Sequence, residues 1–324
     1  MTIHQHIAAG IDLGSNTFRF LVANCSTGNL TILTKKMATV GLGRNLANDG
    51  LLLQDSMQKG FAVLRTFREA LAHYQPQNLR VCGTEALRQA KNSRLFLQKA
   101  EELLQQPIDI ISGEEEARLS FTGALAGCTK PLSWPRLLVD VGGGSTELFF
   151  AESPAGKTRT KSVPLGVVGL TEKFLAPANP DLVSLDRQLT ETLHSAFVQL
   201  PILQKEQPLL ILGCGGTATS MAALDLNLTA YNESLVHSHV LYNTAIEKLW
   251  DKLLALPAHK RNTLPCLGEG RGEILPAGIR IYHVLLKFLQ QDRMMVSDTG
   301  LLEGILLSSL PIKLSEFFPS ILAR

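Results

Sequence analysis

Two stretches decide the fold: Gly10-Ile11-Asp12-Leu13-Gly14-Ser15-Asn16-Thr17 and Val139-Asp140-Val141-Gly142-Gly143-Gly144-Ser145-Thr146. In each, an apolar run ends near an aspartate, small turn residues follow, and a second apolar run departs. That second run is Phe18-Arg19-Phe20-Leu21-Val22 in the first stretch and Glu147-Leu148-Phe149-Phe150 in the second. Short apolar runs bounded by turn residues are hairpin material. One hairpin plan used twice predicts an α/β chain of two similar domains facing one another across a cleft.

Working outward, strands are expected over 7–13, 18–23 and 30–34. Met57, Phe61, Leu64, Phe67 and Leu71 step by four, three, three and four, which puts one apolar stripe on a helix over 55–74. A strand over 79–82, a helix over 93–104, a strand over 108–111 and a helix over 114–126 follow. Gly127, Pro131, Ser133 and Pro135 then break the pattern, so the cut between domains is placed there, giving domains 1–126 and 127–324. The second half repeats this plan with a strand over 137–141, a helix over 184–200 between proline-rich loops at 177–180 and 201–208, a strand over 209–212, and helices to the end.

Composition narrows the function classes. The chain has 324 residues, 45% apolar and 19% charged, a globular balance. With 31 Lys+Arg against 29 Asp+Glu the formal charge is only +2, which argues against a broad grip on nucleic acid. No uncharged apolar run reaches the eighteen or so residues that span a bilayer, and the N-terminus lacks the basic and apolar regions of a secretory signal, so no membrane partner is expected. The five cysteines are dispersed without a Cys-x-x-Cys pair, and free thiols in a reducing cytoplasm account for them.

The glycine loops carry the chemistry. Without a Cβ, backbone N–H groups approach an anion closely and consecutive ones form a nest, to which Ser and Thr hydroxyls add donors. Ser15, Asn16 and Thr17 in the first loop, and Gly142, Gly143, Gly144 and Ser145 in the second, are therefore candidate phosphate contacts. Carboxylates beside such loops would repel phosphate unless a divalent cation bridges them. Asp12, Asp140 and Glu147 thus point to a hard cation, Mg²⁺ or alternatively Mn²⁺. The plainer reading is a pair of β-turns, each with a helpful aspartate.

A third loop, Gly213-Cys214-Gly215-Gly216-Thr217-Ala218, follows an apolar strand and opens a helix, adding Gly215, Gly216 and Thr217 as candidates. Alone it fits the dinucleotide pattern G-x-G-x-x-A, with Glu233 downstream, and this leaves open a nucleotide-dependent kinase or dehydrogenase. The Walker pattern G-x-x-x-x-G-K-[ST] is absent. Between the loops, Ser112-Gly113-Glu114-Glu115-Glu116-Ala117-Arg118 offers either a capped, acidic helix start or a glutamate that acts as general base, with nothing local to choose among the three. Arg88, in Gly83-Thr84-Glu85-Ala86-Leu87-Arg88, is either a phosphate-binding guanidinium or a solvated helix-face arginine.

These motifs occur in order with Val296-Ser297-Asp298-Thr299-Gly300-Leu301-Leu302-Glu303-Gly304, and together they resemble the exopolyphosphatase and guanosine pentaphosphate phosphohydrolase family over nearly the whole chain. The resemblance implies a duplicated ribonuclease H-like fold of the actin and sugar-kinase superfamily, with an active site between the domains. It implies Mg²⁺-dependent hydrolysis of a terminal phosphoanhydride, with orthophosphate released from polyphosphate or from guanosine pentaphosphate. It also implies Glu116 as the base, Asp140 and Glu147 as metal-associated carboxylates, and Ser15, Asn16, Gly143, Gly144, Ser145 and Arg88 as phosphate contacts. Longer members carry a helical extension of the HD-phosphohydrolase type, for which 324 residues leave no room, and Leu302 stands where many relatives have arginine. A noncatalytic sensor of polyphosphate or alarmone is the other alternative, and a homodimer is compatible with the pattern.

Three further features invite a bland reading. His237 and His239 are spaced i, i+2, which is poor for shared metal ligation on a helix. Trp134 and Trp250 read as packing residues. Arg261, Arg271 and Arg280 read as surface arginines, with the lining of a polyanion path as the alternative.

Overall fold

The computed structural model describes residues 6–26, 30–128, 133–153, 156–176, 179–198, 200, 209–268 and 270–311. The chain divides into two compact units, Met1–Pro131 with Gly300–Arg324, and Leu132–Thr299. Most of the proline-rich loops expected at 177–180 and 201–208 lies outside the described residues.

In the first unit, β1 (Ile7–Leu13), β2 (Thr17–Asn24) and β3 (Thr31–Thr39) form an antiparallel meander. β4 (Asn78–Gly83) joins β1 in parallel and β5 (Asp109–Ile110) joins β4, giving the order β3-β2-β1-β4-β5. The helices are α1 (Leu46–Asp49), α2 (Gln54–Tyr74), α3 (Glu85–Gln89), α4 (Ser93–Leu104) and α5 (Gly113–Ala126). The stripe on α2 buries Phe61, Leu64, Phe67 and Leu71, while Met57 stays partly buried. Phe20 stacks on Phe67 with ring centroids 5.2 Å apart, and Phe61 on Phe96 of α4 at 5.0 Å. Each such buried ring contributes about 1.5–3 kcal/mol of transfer free energy.

The second unit repeats the plan. β6 (Arg136–Val141), β7 (Thr146–Ala151) and β8 (Thr158–Val163) form the meander. β9 (Leu210–Cys214) pairs with β6 in parallel, β11 (Arg293–Val296) pairs with β9, and β10 (Val240–Tyr242) adds an antiparallel edge, for the order β10-β11-β9-β6-β7-β8. Its helices are α6 (Val167–Leu170), continued by a π-helical turn over Thr171–Leu175, then α7 (Leu182–Val198), α8 (Gly215–Asp225), α9 (Glu233–Val236), α10 (Asn243–Leu254), α11 (Ala258–Arg261) and α12 (Arg271–Phe288). Apart from β10 the two strand orders superpose: three antiparallel strands, then two parallel additions beside the first. Both units thus share one plan, as the doubled hairpin implied. The buried Tyr282 of α12 donates a hydrogen bond to Val139 O at 2.9 Å, tying the helix to the strand that carries Asp140.

The division differs from the sequence reading at the C-terminal end. That reading kept everything after 127 in the second domain, whereas α13 (Leu301–Ser308) belongs to the first unit. Leu302, Leu306 and Leu307 bury against Ala8, Leu21 and Ala23 of β1 and β2. α13 also crosses α5 at glycines: a Cβ on Gly123 would fall 1.9 Å from Gly300 O, and one on Gly304 would fall 2.0 Å from Leu119 O. Chain order places α13 after the second sheet; its apolar face fits the first.

Candidate active site

The two hairpins share a register, and the charges they carry differ. Asp12 lies opposite Arg19 across β1 and β2, and Asp140 lies opposite Glu147 across β6 and β7. Directly opposed residues project from the same face. In the first hairpin the fully buried Asp12 therefore meets a guanidinium, with Nε and Nη2 of Arg19 each 2.7 Å from its Oδ2. In the second, two buried carboxylates sit side by side. Glu147 Oε1 accepts from Ser145 Oγ at 2.7 Å and from Ser162 Oγ at 2.9 Å, so the loop serine and a β8 serine fix its orientation.

The loops are shaped by their own backbones. In the first, Gly14 N donates to Thr17 O at 3.2 Å, and Ser15 Oγ accepts from Ala86 N at the start of α3 at 3.2 Å. Gly43 N donates to Ser15 O, and Val40 N and Gly41 N both donate to Asn16 O, so the strand exit after β3 braces the loop. Asn16 Nδ2 reaches Thr17 Oγ1 at 3.4 Å. In the second, Gly142 N donates to Ser145 O at 2.9 Å, while Gly142 O and Gly143 O accept from Val167 N and Val168 N of α6. A Cβ on Gly166 would strike Gly144 C at 2.2 Å, so this loop and the start of α6 approach as closely as backbones allow.

The third loop is attached to the second. Gly215 has φ +78, and a Cβ there would lie 2.4 Å from Asp140 Oδ1. The Thr217 hydroxyl donates to Val141 O at 3.1 Å, and Arg271 Nη1 donates to Gly216 O at 3.0 Å and to Ser220 Oγ at 3.2 Å. A carboxylate against the first helical glycine is the opposite of what a bare pyrophosphate requires. Glu233 stands exposed at the start of α9 rather than at the end of a neighbouring parallel strand. The dinucleotide reading of this loop thus loses both of its supports.

The structure also separates the three glutamates. Ser112 caps α5, its Oγ accepting from Glu115 N at 3.1 Å. Glu114 is exposed. Glu115 is held by Arg118 and Arg80, and the Arg118 hydrogen bonds above all keep its carboxyl below the usual range. Glu116 is buried, and its Oε2 accepts from Arg88 Nη1 at 2.9 Å. The same nitrogen reaches Ile111 O at 2.5 Å, and Arg88 Nε donates to Glu85 Oε2 at 2.9 Å. Burial pulls the Arg88 pKa down, but Glu116 and Glu85 outweigh it, and the guanidinium stays above its ordinary value. Arg88, with a side chain 18% exposed, is a partly buried bridge and not a solvated arginine.

Helical phase held the clue to Glu116. It lies on one line with Ser120, Gly123 and Ala124, the buried small-residue stripe of α5. Sequence reasoning passed over three partners: Arg19, Ser162 and Glu85. The first two follow from hairpin register, and Glu85 from its i, i+3 spacing to Arg88.

The remaining candidates take structural roles. His239 pairs with Asp225 at 2.8 Å, and His237 Nδ1 accepts from Asp298 N at 3.3 Å. Arg136 stacks over Trp134, Arg280 pairs with Asp186 and lies over Trp250, and Arg261 binds Leu256 O. Leu302 is buried in the core of the first unit. All five cysteines are free. Among the described residues, no group of three or more His, Cys, Asp or Glu side chains forms a metal cage, and no helix is long and apolar enough to cross a membrane.

The Ppx/GppA phosphatase family profile matches residues 21–313. The guanosine-5'-triphosphate,3'-diphosphate pyrophosphatase of Vibrio vulnificus (strain YJ016) is 32% identical over 303 residues, covering 92% of this chain and 58% of that protein. This chain therefore spans under three fifths of the length of that curated relative. The crystal structure of the Aquifex aeolicus Ppx/GppA member has a TM-score of 0.75 at 29% identity, covering 93% of this chain and 96% of that one. An exopolyphosphatase from Cytophaga hutchinsonii shares the fold, with a TM-score of 0.84 at 22% identity over 95% of this chain and 99% of that one.

Proposed function

Because the chain belongs to the Ppx/GppA phosphatase family, we propose that it hydrolyses a terminal phosphoanhydride, releasing orthophosphate from inorganic polyphosphate or the 5′-phosphate from guanosine pentaphosphate. The observation that carries this reading is the position of Glu116. Of three consecutive glutamates it alone is buried and bonded to the Arg88 guanidinium. A phosphate sensor needs donors for its ligand; a carboxylate aligned beside a phosphate-binding arginine is what a water nucleophile needs.

The transferred phosphoryl group demands little covalent chemistry from a protein, so positioning and charge dominate. Ser15, Asn16 and Thr17, together with the amides of Gly142, Gly143, Gly144 and Ser145, would receive phosphate oxygens, and Arg88 would add charge. Gly215, Gly216 and Thr217 would act by shaping the ground beneath Asp140. Glu116 would orient water for in-line attack and accept its proton at Oε1 or Oε2.

Mg²⁺ fits the donor set of the second hairpin. Two opposed carboxylates, one already oriented by hydroxyls, suit a cation that keeps several waters and takes only one or two carboxylates. Asp140 and Glu147 would hold it; Asp12, neutralised by Arg19, would serve its hairpin instead. Bound there, Mg²⁺, or Mn²⁺ in its place, would supply charge compensation to the phosphate oxygens. The compartment we infer is the cytoplasm, where these substrates and reduced thiols coexist.

Orthophosphate release from tripolyphosphate, long-chain polyphosphate and guanosine pentaphosphate, with and without Mg²⁺, tests the reading. Silence on all three refutes it. E116Q is expected to lower turnover by about 10²–10⁴-fold in a protein that still folds. Near-normal turnover in a folded E116Q protein removes Glu116 from the role of base.

A further inference from the structure

Arg88 is held from two sides. Its Nη1 serves Glu116 Oε2 at 2.9 Å and Ile111 O at 2.5 Å, while Nε lies 2.9 Å from Glu85 Oε2 and Nη2 bonds that same oxygen. Four of its five N–H groups are thereby engaged, and among the described residues one Nη2 hydrogen is left over. Glu85 is itself anchored, its Oε1 accepting from Gln89 Nε2. The side chains of Glu85 and Arg88 are only 15% and 18% exposed, so the pair is more than a solvated i, i+3 contact on a short helix.

This geometry decides how Arg88 can meet a phosphate. A guanidinium prefers to grip phosphate with two parallel N–H groups. Glu85 occupies the Nε–Nη2 edge that such a grip would use. One guanidinium can then touch Glu116 through Nη1 and a phosphate oxygen through the remaining Nη2 hydrogen, which aligns the base, and the water it activates, with the phosphoryl group.

We propose that Glu85 is a positioning residue for the phosphatase reaction, pinning the Arg88 fork so that it bridges Glu116 and a single phosphate oxygen and does not swing into a two-handed grip on the substrate. The inference rests on the hydrolase reading above. Without Glu85 the freed fork binds phosphate more tightly in the ground state and loses its register with Glu116. KM and kcat then fall together.

The test compares wild type with E85A, E85Q, R88A and E85A/R88A on tripolyphosphate, alongside ¹⁵N spectra of the Arg88 Nε–H signal, assigned by its loss in R88A. E85A is expected to lower kcat about tenfold, as slight misplacement of a reacting group does. Its KM falls roughly threefold as the fork gains a second phosphate bond. E85Q, whose amide oxygen accepts the same two N–H groups, restores kcat to within about threefold of wild type. E85A/R88A is no slower than R88A alone. The protected Nε–H signal persists in E85Q and disappears in E85A. Wild-type kcat in E85A, equal impairment of E85A and E85Q, or an Arg88 signal indifferent to E85A overturns the proposal. If wild type releases no orthophosphate, the hydrolase reading fails. The Nε–H signal of E85A, with and without tripolyphosphate, then still decides whether Glu85 pins Arg88.

Discussion

Replacing Gly215 by alanine tests how the second unit holds its carboxylates. The residue has φ +78, in the left-handed region where an L side chain costs about 1–2 kcal/mol. The new Cβ would stand 2.4 Å from Asp140 Oδ1, where ordinary contact begins at 3.4 Å. The carboxylate must therefore retreat by roughly 1 Å, a displacement that costs on the order of 10²-fold in rate when it misplaces a reacting group. Strain of this size lowers Tm by about 2–8 °C for a unit of this length. The assay is orthophosphate release from tripolyphosphate across a Mg²⁺ titration, with thermal unfolding of the same samples. G215A is expected to lose about 100-fold in kcat/KM and to require more Mg²⁺ for half-maximal rate. Gly169 supplies the control: it lies in α6, and a Cβ added there would meet nothing within 4 Å, so G169A should retain activity and gain about 0.4–1 kcal/mol. A folded G215A protein with wild-type turnover and Mg²⁺ dependence would refute the claim that Gly215 seats Asp140 for the reaction.

Other expectations concern buried groups. His283 is 1% exposed with neither ring nitrogen hydrogen-bonded, and burial first, then Lys287 and Arg280, hold its pKa below 6.5 despite Glu247 and Asp186. The unfolded chain takes up that proton first, so the neutral histidine's contribution is present above pH 6.5 and is lost as pH falls below it. H283L should flatten the fall in Tm between pH 7 and 5, and parallel curves for the two proteins would contradict this. Burial also pushes the Cys25 and Cys82 thiols up to about 11 and about 12. Thiolate being the reactive form, iodoacetamide at pH 8 should label neither until the protein unfolds. Rapid labelling of native Cys82 would show the thiol to be accessible and ionised.

The hairpin strands, the α2 stripe and the two loops were readable because each depends on neighbours in the chain: alternation, turn residues and helical spacing are local. β8, β10 and β11 lie where no strand was expected, the last two in a stretch expected to be helical to the end, because a sheet's outer strands are held by partners far along the chain. The helix at 93–104 and the strand at 7–13 matched residue for residue. The extended run of β3 through Lys35 and Lys36 went further than its apolar start suggested, since an edge strand tolerates exposed charge along its length. The place of α13 could not be read, because the preference of Leu302 and Leu306 for Ala8 and Leu21 is a contact across most of the chain.

By itself the sequence determined that one hairpin is used twice and that acidic groups and small-residue loops recur with it, since turn chemistry and side-chain alternation are written residue by residue. Only the tertiary structure decided which charges meet. Strand register sets Arg19 against Asp12 but Glu147 against Asp140, so one hairpin carries an ion pair and the other a pair of like charges, where the proposed function would place a cation. Helix phase buries Glu116 and exposes Glu114, and the turn after β4 brings Arg88 to it across 28 residues of chain. Charge pairing depends on distances of a few ångströms between segments far apart in sequence, and packing alone sets those distances.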